Sequence, residues 1–202
     1  MTDTKIKICG LSRNEDVDFA NMLNPEFIGF VFVPRSKRYV NPDAAAKLRL
    51  KLRDSISAVG VFADEKIENI EKTARDGVID MIQLHGCESS EYIMCLRQVT
   101  GKPVIKAFSI SKIEDVKKAV MSPADFILLD NGAGGTGRTF DWTLTGNIER
   151  KFFLSGGLNA DNVETAIMMT HPYAVDVSSG VEKNGVKDSD RIRTFIKAVR
   201  GD

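Results

Sequence analysis

Eight short apolar runs recur along this chain, and longer amphipathic stretches fill the intervals between them. The runs are Lys5–Cys9, Phe27–Val33, Ala58–Phe62, Met81–Leu84, Val104–Phe108, Phe126–Asp130, Phe152–Ser155 and Ala174–Val177. Helical patterns lie near Asn14–Asn21, Pro42–Leu52, Lys66–Arg75, Ser90–Val99, Ile113–Met121, Asp141–Asn147, Ala160–Met169 and Ser189–Val199. Strand–helix alternation of this kind builds βα units around a parallel sheet. Several runs are apolar at nearly every position, as burial on both faces requires. Eight such units suit a closed (β/α)8 TIM barrel better than an open sheet, and 202 residues allow one barrel domain over 1–202 with little to spare.

A barrel of this type builds its chemistry at the C-terminal ends of its strands, so the residues that follow each run matter most. After the seventh and eighth runs come Leu154-Ser155-Gly156-Gly157-Leu158 and Val177-Ser178-Ser179-Gly180-Val181. Glycine lets backbone N–H groups approach an anion closely, and two such turns on adjacent strands form a phosphate cradle. The alternative is two ordinary glycine-bearing connections. Two further connections are long for so short a chain: residues 34–41 after the second run and residues 131–140 after the sixth. Long loops in compact domains are usually functional or disordered, and both of these follow strand C-terminal ends.

The strand ends also carry the reactive groups. Cys9 closes the first run and Asp130 the sixth, which suggests a thiol and a carboxyl facing each other across the mouth as an acid/base pair. At an ordinary pKa of about 8.5 only a few per cent of a thiol is ionised at neutral pH, and nearby lysines raise that fraction. The plain alternatives are a buried apolar cysteine and a loop-capping aspartate. Arg35, Lys37 and Arg38 stand on the loop after the second run, and an arginine fork matches a carboxylate bidentately. His85 and Cys87 flank Gly86, but the spacing fits no zinc pattern, so His85 reads as a polar wall of the pocket and no metal is expected.

Composition narrows the partners. Twenty-eight basic residues balance 28 acidic ones, which leaves no basic footprint for nucleic acid. No run has the length or apolarity of a membrane span, and the N-terminal residues lack a signal-like apolar region. Three cysteines without C-x-x-C spacing argue against a disulfide framework and fit a reducing cytoplasm.

Taken in order, these segments resemble the phosphoribosylanthranilate isomerase family. The resemblance rests on Lys5-Ile6-Lys7-Ile8-Cys9-Gly10, on Gly29 to Val40 with its Pro34-Arg35-Ser36-Lys37-Arg38-Tyr39 core, and on Val59-Gly60-Val61-Phe62. It continues through Gln83-Leu84-His85-Gly86, Leu128-Leu129-Asp130, Gly134-Gly135-Thr136-Gly137 and Phe140-Asp141-Trp142, then through the two late glycine turns to Glu182. It implies a (β/α)8 barrel without a cofactor, catalysing an Amadori rearrangement of N-(5-phosphoribosyl)anthranilate. It further implies Cys9 as general base and Asp130 as general acid. Arg38 is then the anchor of the anthranilate carboxylate, and Gly156, Gly157, Ser179 and Gly180 bind the phosphate. The partner is thus a small phosphosugar, and the barrel works as a monomer or homodimer. The competing readings are a histidine-pathway aminoaldose isomerase, which calls for paired aspartates, and a phosphosugar-binding barrel without catalysis.

Overall fold

The computed structural model describes residues 3–132, 139–146 and 148–201. All eight apolar runs form strands: β1 (Lys5–Cys9), β2 (Phe27–Val31), β3 (Ser57–Phe62), β4 (Met81–Leu84), β5 (Val104–Ser109), β6 (Phe126–Asp130), β7 (Phe152–Leu154) and β8 (Ala174–Val177). Each pairs in parallel with the next, and β1 closes on β8 to complete the barrel. Seven α-helices follow the strands among the described residues: α1 (Asn14–Leu23), α2 (Pro42–Arg49), α3 (Ile67–Arg75), α4 (Ser90–Thr100), α5 (Ile113–Val120), α6 (Val163–Thr170) and α7 (Ser189–Arg200).

Local chemistry sets the helix ends. Asn41 caps α2 by accepting from the Ala44 N–H, with Pro42 preorganised at the first helical position. The Ser89 hydroxyl caps α4, and Gly101 ends that helix in the left-handed region at φ 63°. Asp188 caps α7 in the same manner through the Arg191 N–H.

Three expectations are corrected. The stretch Asp141–Asn147 is not a helix: Trp142–Thr145 makes one 3-10 turn, and Asn147 lies outside the described residues. The Asp141 carboxylate takes the Thr143 N–H at 3.0 Å and Gly146 breaks the turn at φ 49°, so this poor helix-forming sequence has no length in which to propagate. Strand β2 stops at Val31 rather than Val33, because the Ser36 N–H bonds back to the Val33 carbonyl and turns the chain. A two-rung antiparallel ladder, β9 (Glu182–Lys183) with β10 (Val186–Lys187), falls where no strand was expected.

Alternation along the strands sorts the core into layers. Ile6, Ile8, Ile28, Phe30, Leu84, Ile127 and Leu129 point outward and pack under the helices. Phe27, Val59, Met81, Ile105, Leu128, Phe153 and Ala174 point inward and fill the lower barrel. Phe153 is the centre of that plug, with ring centroids 5.5 Å from Phe27, 5.7 Å from Phe126 and 5.8 Å from Tyr173. Such a fully enclosed ring is costly to remove, because the residual cavity adds to the lost transfer energy. Phe153→Ala is expected to lower unfolding free energy by about 3–5 kcal/mol, read as a drop in urea midpoint with the slope unchanged.

Candidate active site

Above the aromatic plug the barrel interior turns polar. Lys7 on β1, Gln83 on β4 and Asp176 on β8 are buried, at 0%, 2% and 6% exposure, and point into the barrel rather than toward the helices. Lys7 Nζ donates to Asp176 Oδ1 at 2.9 Å. Gln83 and Asp176 line a cleft of about 450 Å³ at the C-terminal mouth, within the range of small-molecule sites.

Seven of the eight expected site residues line this one cleft: Cys9, Arg38, His85, Asp130, Gly156, Gly157 and Ser179. Gly180 does not. Its place is behind the cradle, against the Leu158 carbonyl, where any side chain would collide. Cys9 is two residues beyond Lys7 on the same face of β1. Room for the thiol comes from Gly29 on β2, where a Cβ would stand 2.8 Å from Sγ. Asp130 ends β6 in a buried position and its Oδ1 accepts from the Gly132 N–H at 3.2 Å. The Gly134-Gly135-Thr136-Gly137 segment of that loop lies outside the described residues.

The late turns have the geometry an anion needs. Gly156 and Gly157 both adopt positive φ, 88° and 66°, which a side chain would strain. The Asn162 side chain fixes the turn by donating to the Gly157 carbonyl at 3.0 Å. Among the described residues, the backbone N–H groups of Gly157 and Ser179 have no acceptor. Helix α6 begins at Val163, so loop amides face the cleft at the first turn, whereas Ser179 opens the 3-10 turn Ser179–Val181 at the second.

Electrostatics around the thiol oppose one another. Burial pushes the Cys9 thiol up; Lys7 and Lys187 pull it down, Asp176 adds to the rise, and the net direction is up. The lysines act on the thiolate fraction in the expected direction, but desolvation outweighs them. Burial also works against the Lys7 ammonium, but Asp176 and Cys9 overcome it and its pKa is raised. His85 is accessible from the cleft yet walled by protein, and the loss of hydration moves its imidazole down against the pull of Asp130. Its ring Nδ1 lies 3.3 Å from Gln83 Nε2. Gln83 Oε1 is buried without a partner among the described residues.

Sequence reasoning missed four groups: Lys7, Gln83, Glu182 and Lys187. Lys7 was detectable only as a lysine sharing a strand face with Cys9. Arg38 is placed at the cleft, but its fork already holds Glu182, with Nε to Oε1 at 2.6 Å and Nη2 to Oε2 at 2.9 Å.

Fold and cleft define a (β/α)8-barrel enzyme with its polar groups gathered on the strand ends. The model of the N-(5'-phosphoribosyl)anthranilate (PRA) isomerase family matches residues 6–198. The N-(5'-phosphoribosyl)anthranilate isomerase of Endomicrobium trichonymphae is 44% identical over 200 residues, covering 97% of this chain and 98% of that protein. The crystal structure of phosphoribosyl anthranilate isomerase from Thermotoga maritima superposes with a TM-score of 0.91 at 40% identity, over 98% of this chain and 99% of that one. A solved phosphoribosyl anthranilate isomerase in complex with reduced 1-(o-carboxyphenylamino)-1-deoxyribulose 5-phosphate superposes with a TM-score of 0.89 at 39% identity, over 98% and 99% of the two chains. The chain belongs to the PRA isomerase family, aldose–ketose isomerases of tryptophan biosynthesis.

The raised thiol has a measurable sign. Because burial disfavours the charged form, alkylation of Cys9 by iodoacetamide is expected to keep accelerating with pH beyond the ordinary thiol value of about 8.5. The mass of the Cys9-containing peptide follows the reaction, and a plateau reached by pH 7 would contradict the assignment.

Proposed function

We propose that this single barrel converts N-(5'-phosphoribosyl)anthranilate to 1-(2-carboxyphenylamino)-1-deoxyribulose 5-phosphate with Cys9 as general base and Asp130 as general acid. The observation that carries the reading is the convergence of thiol, carboxyl, arginine fork and glycine cradle on one cleft. Asp130 donates a proton to the furanose ring oxygen, the ring opens, and a Schiff base forms. That electron-poor C=N bond acidifies the neighbouring C2 hydrogen, which the Cys9 thiolate removes. The enolamine then tautomerises to the aminoketone. The imine is itself the electron sink, so the reaction calls for no redox partner.

The two ends of the substrate are its charged handles. The Gly156, Gly157 and Ser179 turns receive the phosphate, with Gly180 shaping the second turn from behind. Arg38 takes the anthranilate carboxylate, and His85 forms a polar wall between the handles. Anchoring both ends lets binding energy hold C2 between base and acid. Lys7, hydrogen-bonded to Asp176 and adjacent to Cys9, stabilises the thiolate as it forms. The free thiols at Cys9, Cys87 and Cys95 suit the reducing cytoplasm as the place of action.

Cys9→Ala and Asp130→Asn are each expected to lower kcat by about 10²–10⁴-fold with thermal unfolding little changed. The assay is the fluorescence decay of phosphoribosylanthranilate generated in situ from anthranilate and phosphoribosyl pyrophosphate. Arg38→Ala acts mainly on KM. Wild-type turnover in Asp130→Asn removes the acid from the scheme.

A further inference from the structure

Glu182 has no part in the chemistry above, yet its carboxylate is held by two cationic side chains, one of which, Arg38, lines the cleft. Its two oxygens accept from Arg38 Nε at 2.6 Å and Nη2 at 2.9 Å, across 144 residues of sequence. Oε1 also accepts from Lys187 Nζ at 2.6 Å. Lys187 is nearly enclosed, with its side chain 1% exposed, and reaches the Ser178 carbonyl at 3.1 Å and hydroxyl at 3.2 Å. Glu182 and Lys187 sit opposite each other on the β9–β10 ladder, so backbone pairing sets the direction of the carboxylate.

The opposite side of Arg38 is equally constrained. Its stem lies across Gly10, at φ 89°, where any side chain would occupy the same space. The loop that carries it is folded by the Ser36 N–H on Val33 and the Tyr39 N–H on Ser36, and the Val40 N–H returns to Val31 at 2.9 Å. A guanidinium offers two edges to bidentate acceptors. Glu182 occupies the Nε–Nη2 edge and leaves the Nη1–Nη2 edge, on a side chain that lines the cleft.

Charge explains the third member. Arg38 and Glu182 alone make a neutral pair with little pull on an anion. Lys187 restores one net positive charge to the trio without competing for the fork. We infer that Glu182 is a positioning residue that aims the second edge of Arg38 at a ligand carboxylate, with Lys187 keeping the trio cationic. This deepens, and rests on, the reading of Arg38 as the carboxylate anchor. The rival is a carboxylate stand-in that the ligand displaces from the fork. That exchange would leave a buried carboxylate holding only Lys187, at the cost of two charge-assisted hydrogen bonds.

The two differ in sign. Removing Glu182 raises the local net charge, so by electrostatics alone, or by loss of a competitor, carboxylate binding would tighten. Loss of aim weakens it. The experiment measures dissociation constants of reduced 1-(o-carboxyphenylamino)-1-deoxyribulose 5-phosphate and of its phenylamino counterpart lacking the carboxylate. The proteins are wild type, Glu182→Ala, Glu182→Gln, Arg38→Ala and the Glu182→Ala/Arg38→Ala double variant, each checked by circular dichroism. Glu182→Ala is expected to weaken the carboxylated ligand about tenfold and leave the other nearly unchanged, with Glu182→Gln between. In the Arg38→Ala background the Glu182 effect vanishes, and KM moves more than kcat in the single variants. Equal weakening of both ligands, or tighter binding of the carboxylated one, overturns the inference; Glu182→Gln reads the same signs if the alanine variant does not fold. Arg38→Ala that fails to discriminate the two ligands overturns the anchor reading itself, and the inference with it.

Discussion

The Lys7–Asp176 ion pair is the constraint on which the rest of the barrel depends. Lys7 and Asp176 face each other directly across the β1–β8 seam, the pairing that closes the sheet on itself, 169 residues apart in the chain. Both are buried, and a buried charge without its partner costs several kcal/mol. The pair therefore discriminates strongly between registers at the seam. A slip of one residue would turn Lys7 outward, into the layer where Ile6 and Ile8 pack under the helices, and leave Asp176 alone inside. The register that keeps the charges together also sets Cys9 directly above them, on the same face of β1, at the mouth.

Polarity is graded along the barrel axis, and the grading explains how a dry core and a polar site share one interior. The lower layer is aromatic and aliphatic, closed by Phe27, Phe126, Phe153 and Tyr173. Lys5 seals its rim, with Nζ donating to the Tyr173 hydroxyl at 2.8 Å and lying over that ring. The middle layer holds Lys7, Gln83 and Asp176, which bond to one another or to the cleft above. On this plug the cleft floor is fixed, so the strand-end groups have little freedom to drift. Lys106 does similar work at the wall, bonding the Gly86 carbonyl at 2.7 Å and Glu88 at 3.1 Å and so holding the turn that follows His85.

This grading also decides what was legible in the sequence. Strands were legible because burial on both faces makes them apolar runs, and all eight fell where the runs lay. Cys9 and Asp130 were legible as polar ends to apolar strands, and the glycine turns as backbone that tolerates positive φ. Lys7 was not. In Lys5-Ile6-Lys7-Ile8-Cys9 the alternation separates lysines from isoleucines without saying which set meets the helices; the isoleucines do, and the lysines face the barrel interior. Period two marks the faces but does not name the outer one. Glu182 and Lys187 were hidden for another reason: their ladder has only two rungs, and their partner Arg38 is distant in sequence. The failed helix at Asp141–Asn147 shows a spacing pattern without propensity behind it, since Asp141 and Gly146 bracket too few residues for a second turn.

For the base proposed above, a thiol held above its ordinary value looks at first like a poor choice. Ionisation is rarer, but a thiolate formed from a weaker acid is the stronger proton acceptor, so the two effects partly offset each other. Burial favours the neutral thiol, which is less open to oxidation than a standing thiolate would be. Lys7 is suited to this balance because Asp176 already engages it. An unpaired ammonium would pull Cys9 further down, while one shared with a carboxylate lends a hydrogen bond and only part of its charge. Burial sets the direction in which the thiol above moves, and the pair that closes the barrel moderates it, Lys7 pulling down and Asp176 pushing up.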